Sequence, residues 1–145
     1  MAQASDEVVE FFDAYSRAVD SHDLAFFETA YGDTFMFAGP AGAQAVTRND
    51  FLRALPKREA FFKAVGLTAS TIVTLAETPL DDTYVMVKAL WAMRFESDPE
   101  HPVVDENPAT YLLRRHGGGL QIVLQLDHQD LAQRARELGL LAAAP

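Results

Sequence analysis

A carboxylate and an imidazole stand side by side at Asp127 and His128, where an apolar segment ends. A carboxylate at the end of a strand can act as a general base on water or a substrate C–H, and histidine is the usual proton shuttle near neutral pH. Adjacent residues in a strand point to opposite faces, so the two need not act together. If the apolar residues at even positions 120–126 face the interior, His128 does too.

A structural interpretation of the same residues is equally specific. Asp127 follows a strand and precedes a helical tail, with Asp130 three residues later, which is typical of a helix N-cap with an acidic first turn. His128 would then be a solvent-exposed residue of that first turn. Both interpretations remain open from the sequence.

Tyr15 is the third candidate. It lies on an apolar stripe of an amphipathic helix that begins near Ser5 and carries Val8, Phe11, Phe12, Tyr15, Ala18 and Val19. A phenol in an apolar cavity can stabilise a developing negative charge. Alternatively Tyr15 is a core residue whose hydroxyl is satisfied by a backbone group.

Other site classes find little support. The absence of cysteine excludes thiolate metal sites and a cysteine nucleophile. We find no metal-ligand motif, and Gly117–Gly119 lies between two strands rather than before a helix, which predicts a hairpin turn instead of a phosphate loop. We therefore expect no cofactor and no metal. A net charge of −9 without a basic stripe argues against nucleic acid and anionic membranes as partners.

The order of predicted elements is α+β. Two helices are followed by a strand at 34–38, a loop at 39–45, and a helix capped by Thr47 that Pro56 should kink or split. Strands are predicted at 67–78, 83–95, 109–116 and 120–126, with a loop at 97–108 and a helical tail. Residues 1–145 are expected to form a single domain. The N-terminus shows no signal peptide and no apolar run is long enough to span a membrane, so we expect a cytoplasmic protein.

The longest strand has one wholly apolar face and one mixed face. The mixed face includes Tyr84, Met86 and Leu90 beside Lys88 and Arg94. An apolar patch on an outer sheet face is usually covered, and we expect a homodimer through this face. Helices on both sides of the sheet are the alternative.

Aromatic and sulfur-containing side chains recur on the predicted strands. The expected ligand-pocket residues are Phe35, Phe37, Trp91, Met93 and Tyr111. Such a lining would suit a small apolar or aromatic molecule, with a few polar groups fixing its orientation. Ordinary core packing is the alternative for each residue.

The first-helix segment from Ala14 to Leu24, with Tyr15 and Asp23-Leu24 at its exit, and the final strand running into Asp127-His-Gln-Asp-Leu131 resemble the nuclear-transport-factor-2-like (NTF2-like) superfamily, in particular its SnoaL-like group. The resemblance implies a cystatin-like fold, in which a cone-shaped curved antiparallel sheet carries the N-terminal helices on its concave side. It also implies a deep cavity and a homodimer.

The resemblance places Tyr15 where steroid isomerases of the superfamily carry an oxyanion donor, and Asp127 near a catalytic aspartate of its epoxide hydrolases. The isomerase base is missing, because Ala38-Gly39-Pro40 has no carboxylate, and Lys88-Ala89-Leu90 lacks the second hydrolase aspartate. We therefore expect a SnoaL-like small-molecule-binding domain, with cofactor-independent isomerisation, cyclisation or hydration as its possible chemistry. The competing hypothesis is a non-catalytic ligand carrier or a dimerisation and assembly module.

Overall fold

The computed structural model describes residues 2–141. Its helices are α1 (Asp6–Ser21), α2 (Leu24–Ala30), α3 (Arg48–Ala64) and α4 (Leu131–Glu137). Its strands are β1 (Ala2–Gln3), β2 (Tyr31–Gly39), β3 (Gly42–Thr47), β4 (Leu67–Pro79), β5 (Tyr84–Phe95), β6 (Val103–His116) and β7 (Gly119–Asp127). The α+β class predicted from the sequence is confirmed.

All seven strands form one sheet in the order β1-β4-β5-β6-β7-β2-β3. Strands β4 to β7 form an antiparallel meander, and β2 joins it beside β7 in a parallel pairing. The sheet is therefore mixed, not purely antiparallel as predicted, because β2 enters the sheet in the same direction as the last strand, β7. The sheet is open, with β1 and β3 at its edges.

The two N-terminal helices form where the sequence signals them. On α1 the buried residues are Val8, Phe12, Tyr15 and Ala18, which share one face at three- and four-residue spacing. The helix ends at His22, whose left-handed backbone (φ 57°) reverses the chain. Asp23 then accepts a hydrogen bond from the Phe26 N–H and caps α2, as predicted.

Helix α3 contains Pro56 without being divided into two elements. Thr47 caps its start by accepting from the Asp50 N–H, as expected. The helix ends before Gly66, which has a φ of 82° and lies so close to Ser97 that a Cβ would stand 2.5 Å from the Ser97 backbone nitrogen. Only glycine fits this crossing of the chain.

Two predicted loops are partly strand. β3 occupies Gly42–Thr47 and overlaps the segment 39–45 assigned to a loop, because pairing with β2 overrides the low strand propensity of its small residues. β6 begins at Val103 instead of Ala109, and its first half pairs with Leu90–Phe95 of β5. That half places Asp105 and Asn107 on the inner face, so apolar alternation could not reveal it.

Two apolar clusters lie on the inner side of the sheet. The larger joins α1, α2 and α3 to β2, β5, β6 and β7. The smaller lies beneath α4 and comprises Val65, Met93, Phe95 and Ala135. Arg134 ties α4 to the sheet through a two-nitrogen contact with the buried Asp105 carboxylate, with Nη2 at 2.7 Å and Nε at 3.0 Å. No helix within residues 2–141 is both long and apolar enough to cross a membrane.

Candidate cavity site

A cavity of about 660 Å³ lies between the helices and the inner face of the sheet. Its aromatic lining comes from α1, α2, α3 and three strands and consists of Tyr15, Phe27, Phe51, Phe62, Tyr31, Trp91 and Tyr111. Polar groups reach it from the sheet and from the segment after β7, namely Ser70, Asn107, Gln125, Asp127 and Gln129. This combination of apolar walls and a few polar groups is typical of small-molecule sites.

A chain of hydrogen bonds crosses the cavity wall. The Tyr31 hydroxyl lies 2.6 Å from Gln125 Oε1 and 2.7 Å from the Tyr15 hydroxyl. An amide oxygen only accepts, so Tyr31 donates to Gln125, and Tyr15 donates to Tyr31. The Gln125 amide nitrogen in turn donates to Asp127 Oδ1 at 3.1 Å. The chain thus fixes the orientation of Gln125 and holds one oxygen of the Asp127 carboxylate.

A β-bulge in β7 decides which residues reach the cavity. Leu113 pairs with Ile122 but Leu112 pairs with Leu124, which leaves Val123 as an extra residue. The side-chain alternation reverses there, so Ile122 faces inward before the bulge and Gln125 after it. The even positions of β7 therefore do not all share a face.

The bulge turns Asp127 inward and His128 outward. Asp127 lines the cavity, opposite Ala109 of β6. His128 is exposed, and its Nε2 lies 2.8 Å from the Thr110 hydroxyl on the outer face. Of the two open alternatives for His128, the structure shows the solvent-exposed one, because the even positions of β7 do not all face inward. The alternative N-cap assignment for Asp127 fails, because Asp130 caps α4 by accepting from the Gln133 N–H.

Three of the five expected pocket residues line the cavity: Trp91, Met93 and Tyr111. The other two, on β2, do not. Phe35 is 2% exposed and packs against Tyr31 at 4.6 Å between ring centroids, so it belongs to the core. Phe37 is half-buried and also packs against the core. Both were expected inside because they face inward, but the rings of Tyr31 and Phe51 stand between Phe35 and the cavity.

Tyr111 offers a proton to the cavity. Its hydroxyl accepts from the Trp91 indole N–H at 3.0 Å. No acceptor for the Tyr111 proton lies within hydrogen-bonding distance among the described residues, whereas the protons of Tyr15 and Tyr31 are already committed. Tyr111 is therefore the phenol that can donate to a bound molecule.

Burial raises the pKa of all three cavity phenols. Loss of solvation is the largest cause in each case, and the pKa values of Tyr31 and Tyr111 rise well above the ordinary value near 10. The nearby Tyr15 hydroxyl adds to both increases. The three phenols are neutral hydrogen-bonding groups at physiological pH.

Two buried amide oxygens have no partner in the described part of the chain: Asn107 Oδ1 and Gln129 Oε1. Both residues line the cavity. The Asn107 amide cannot simply be turned round, because its nitrogen faces Asp105 Oδ2 at 3.3 Å and a carboxylate only accepts. The two oxygens are themselves closed to a molecule the size of water, so Asp127 is the charged acceptor on the sheet side of the cavity.

The exposed residues of the cavity lining lie at the C-terminal end of α1, on α3 and at the start of β4, and several of them are charged. We take this side as the cavity opening. His22 and Glu59 form a contact of 3.3 Å between α1 and α3. Arg58 and Lys63 of α3 also line the cavity and are exposed. His22 is exposed and lines the opening as well.

Residues 2–141 contain no cluster of three or more histidine or carboxylate side chains that could hold a metal ion. Chemically, the arrangement supplies a carboxylate positioned by an amide, a neutral phenol donor and apolar walls. Sequence reasoning missed Tyr31, Gln125 and Arg58. The only signal for Gln125 was a polar residue within an otherwise apolar strand.

Comparison with known proteins agrees with the fold. The family described as NTF2-like protein (DUF6841) matches residues 6–130. Among curated proteins, none matches the chain.

Solved structures with the same fold are distant in sequence. Aln2 from a Streptomyces species is 19% identical, with a TM-score of 0.70, covering 93% of this chain and 100% of its own. ActVI-ORFA from Streptomyces coelicolor is 17% identical, with a TM-score of 0.69 and coverages of 86% and 96%. An NTF2-like protein of unknown function from Shewanella oneidensis is 16% identical, with a TM-score of 0.69 and coverages of 86% and 98%. These likenesses are to the fold alone, and the family match covers most of the chain, which therefore belongs to the NTF2-like protein (DUF6841) family.

Proposed function

We propose that this protein binds a small apolar or aromatic molecule in the cavity between its helices and its sheet. The observation that carries the proposal is the cavity of about 660 Å³, lined by seven aromatic rings and reached by the Asp127 carboxylate. Cavities of this size enclose ligands of drug-like dimensions. A protein that used this fold only for assembly would have no need to keep such a space open.

The same cavity contains the groups for cofactor-independent acid–base chemistry. Asp127 would act as general base through Oδ2, because Oδ1 is held by the Gln125 amide. Tyr111 would donate to a substrate oxygen, since its proton has no other acceptor in the described chain. Tyr15, the predicted donor, instead donates to Tyr31 and supports the chain that positions Asp127. Isomerisation, cyclisation and hydration all require this pairing of a base with a hydrogen-bond donor.

The chain's single tryptophan lines the cavity and is a built-in reporter for the binding test. Native mass spectrometry of the purified protein would show any retained ligand. Titration with a library of small apolar and aromatic compounds, followed by Trp91 emission and calorimetry, would then rank ligand classes. Saturable binding that changes Trp91 emission is expected. Absence of any such binding across the library would overturn the proposal.

Catalysis is tested separately by Asp127→Asn with a compound that binds. The asparagine keeps the size of the side chain but cannot take a proton, so binding should persist within about threefold while turnover falls by at least about 100-fold. Asp130→Asn, which changes a carboxylate outside the cavity, is the matched control. Equal turnover in wild type and Asp127→Asn would leave a ligand carrier as the function.

A second candidate function, a dimerisation module, is favoured by one observation on the outer sheet face. Met86, Leu112, Leu124 and Met36 are successive cross-strand partners on β5, β6, β7 and β2. They form an apolar row across four strands, in which Met86 is 40% and Met36 is 38% exposed. We propose that a second copy of the chain covers this row. Such a dimer is compatible with ligand binding on the inner face.

A further inference from the structure

The charged side chains at the cavity opening are not all paired. Each of its three acidic residues already has a partner: Glu59 contacts His22, Glu96 contacts Arg94, and Asp20 accepts from the Ser70 backbone N–H at 3.2 Å. The two strong cations of the opening, Arg58 and Lys63, have no carboxylate within ion-pair distance in residues 2–141. The acidic side chains nearby keep the opening as a whole from being positive, but Arg58 and Lys63 are the two cations of the lining that are free to pair with an anion.

Arg58 lines the cavity, so its guanidinium can pair with an anionic group of a bound molecule. Its guanidinium stacks on the Phe62 ring, one helical turn away, at 5.1 Å from the centroid. The stacking restricts the long side chain and leaves the edges of the guanidinium free to donate. Its charge reaches the interior, since it lowers the pKa of Tyr15, Tyr31 and Tyr111 against the larger effect of burial.

The sheet side of the cavity has the opposite character. Asp127 lines this side, and only one oxygen of its carboxylate is held by the Gln125 amide. An anionic group would be repelled at this side and attracted to the opening. Aromatic side chains line the cavity between its opening and its sheet side. The cavity therefore has two unpaired cations of α3 at its opening and the Asp127 carboxylate on its sheet side.

We propose that the ligand is an apolar or aromatic carboxylic acid, whose carboxylate pairs with Arg58 at the opening while its apolar body extends toward Asp127. A planar guanidinium matches a carboxylate with two parallel hydrogen bonds, and Lys63 adds charge without geometric demand. The proposal rests on the proposed ligand-binding function of the same cavity. It goes further by naming the ligand's charged group and the residue that recognises it.

Three probes with one apolar body test the head group: 4-phenylbutyrate, 4-phenylbutanol and 4-phenylbutylammonium. Affinities are measured by calorimetry at low and high salt, with Trp91 emission reporting entry to the cavity. The acid should bind at least about tenfold more tightly than the alcohol, because hydrogen bonds to charged groups are worth more than neutral ones. Salt should weaken acid binding and leave alcohol binding unchanged.

Arg58→Gln should remove the preference for the acid and keep the affinity for the alcohol. Arg53→Gln is the matched control, because it removes the same charge from the same helix outside the cavity lining. It should change acid binding by less than about twofold. Arg58→Lys keeps the charge but cannot form the two parallel hydrogen bonds of a guanidinium, so it should retain part of the preference for the acid over the alcohol.

The outcomes separate this inference from the function on which it rests. Equal binding of acid and alcohol, or tighter binding of the ammonium probe, would overturn acid recognition and leave ligand binding intact. An acid preference that survives Arg58→Gln would overturn the role of Arg58. Failure of all three probes to bind or to change Trp91 emission would count against the cavity as a ligand site and would overturn both.

Discussion

Gln125 connects two groups that the sequence separates by almost a hundred residues. Its amide oxygen accepts from Tyr31 and its nitrogen donates to Asp127, while only 4% of the residue is exposed. A buried amide with both ends paired has one orientation, and it transmits that orientation to its neighbours. Gln125 is thus a positioning residue for the proposed base.

Replacing Gln125 by leucine should destabilise the fold by about 1–3 kcal/mol, because the buried Tyr31 hydroxyl loses its acceptor. Gln121→Leu is the matched control, since Gln121 is a half-buried residue on the other face of the same strand. Urea denaturation of both variants measures the difference. A Gln125→Leu variant as stable as the control would contradict the proposed network.

The cavity phenols predict an alkaline limit to stability. Their folded-state pKa values are raised, mainly by burial, whereas the unfolded chain ionises its tyrosines near pH 10. A raised folded pKa contributes stability that is complete below the unfolded value and is lost as the pH rises above it. We expect Tm to fall above about pH 10, with phenolate absorbance from these residues appearing only as the protein unfolds. Tyr111→Phe identifies the part of the phenolate absorbance that comes from Tyr111. Phenolate formation by this residue at a pH well below that of unfolding would argue against its burial.

At the level of single residues, the sequence identified Tyr15 and Asp127 but not their partners. Both were recognisable because a carboxylate or phenol next to an apolar pattern suggests chemistry. Tyr31 and Gln125 become significant only when β2 and β7 pair and bring them together. Arg58 lies on a helix whose exposed face carries several cations, so nothing in the spacing distinguishes it from a solvated charge.

At the level of elements, the bulge at Val123 controls the chemistry of β7. Without it, strict alternation from Ile122 would direct His128 inward and Asp127 to the other face, which is the arrangement in which His128 was expected to line the interior. A single extra residue in the strand exchanges the two. Bulges depend on the pairing of two strands, which explains why the sequence of one strand did not reveal it.

Helix α4 closes the smaller core and is held by one ion pair. Asp105 is 7% exposed, so removing its cation would leave a buried carboxylate without compensation. Arg134→Met should lower Tm by roughly 5 °C or more, a shift measurable for a domain of this size. Arg136→Met, on the exposed side of the same helix, should have little effect. Calorimetry of both variants measures the two Tm values. The double variant Arg134→Met with Asp105→Asn should regain part of the lost Tm, because it no longer leaves a buried carboxylate without a cation.

The interior polar residues Asp105 and Asn107 explain where element prediction failed. Strands β4, β5 and β7 were located from their sequences within a few residues, because apolar and β-branched residues recur along them. The first half of β6 was missed because Asp105 and Asn107 occupy its inner face, where they serve α4 and the cavity. Residues that bind Arg134 and line the cavity take the place of the apolar pattern from which a strand is recognised.

At the scale of the whole molecule, the two faces of the sheet carry different features. The inner face bears the cavity, and the outer face bears the apolar row of Met86, Leu112, Leu124 and Met36. Of the residues predicted for a dimer contact, Met86 belongs to this row, while Tyr84 and Leu90 lie half-buried to either side of it on β5. A continuous apolar surface across four strands favours association more than isolated exposed residues do.

Met86→Glu should therefore convert a dimer into a monomer. A carboxylate in the middle of the row would be desolvated on association and, in a two-fold dimer, would be introduced into both copies. Leu80→Glu is the control, because Leu80 is 53% exposed in the β4–β5 turn and lies outside the row. Sedimentation equilibrium should give twice the chain mass for wild type and Leu80→Glu and the single mass for Met86→Glu, with all three folded by circular dichroism. A wild-type monomer at high concentration, or a Met86→Glu dimer, would show that the outer face is not the interface, and the ligand-binding face would then account for the function alone.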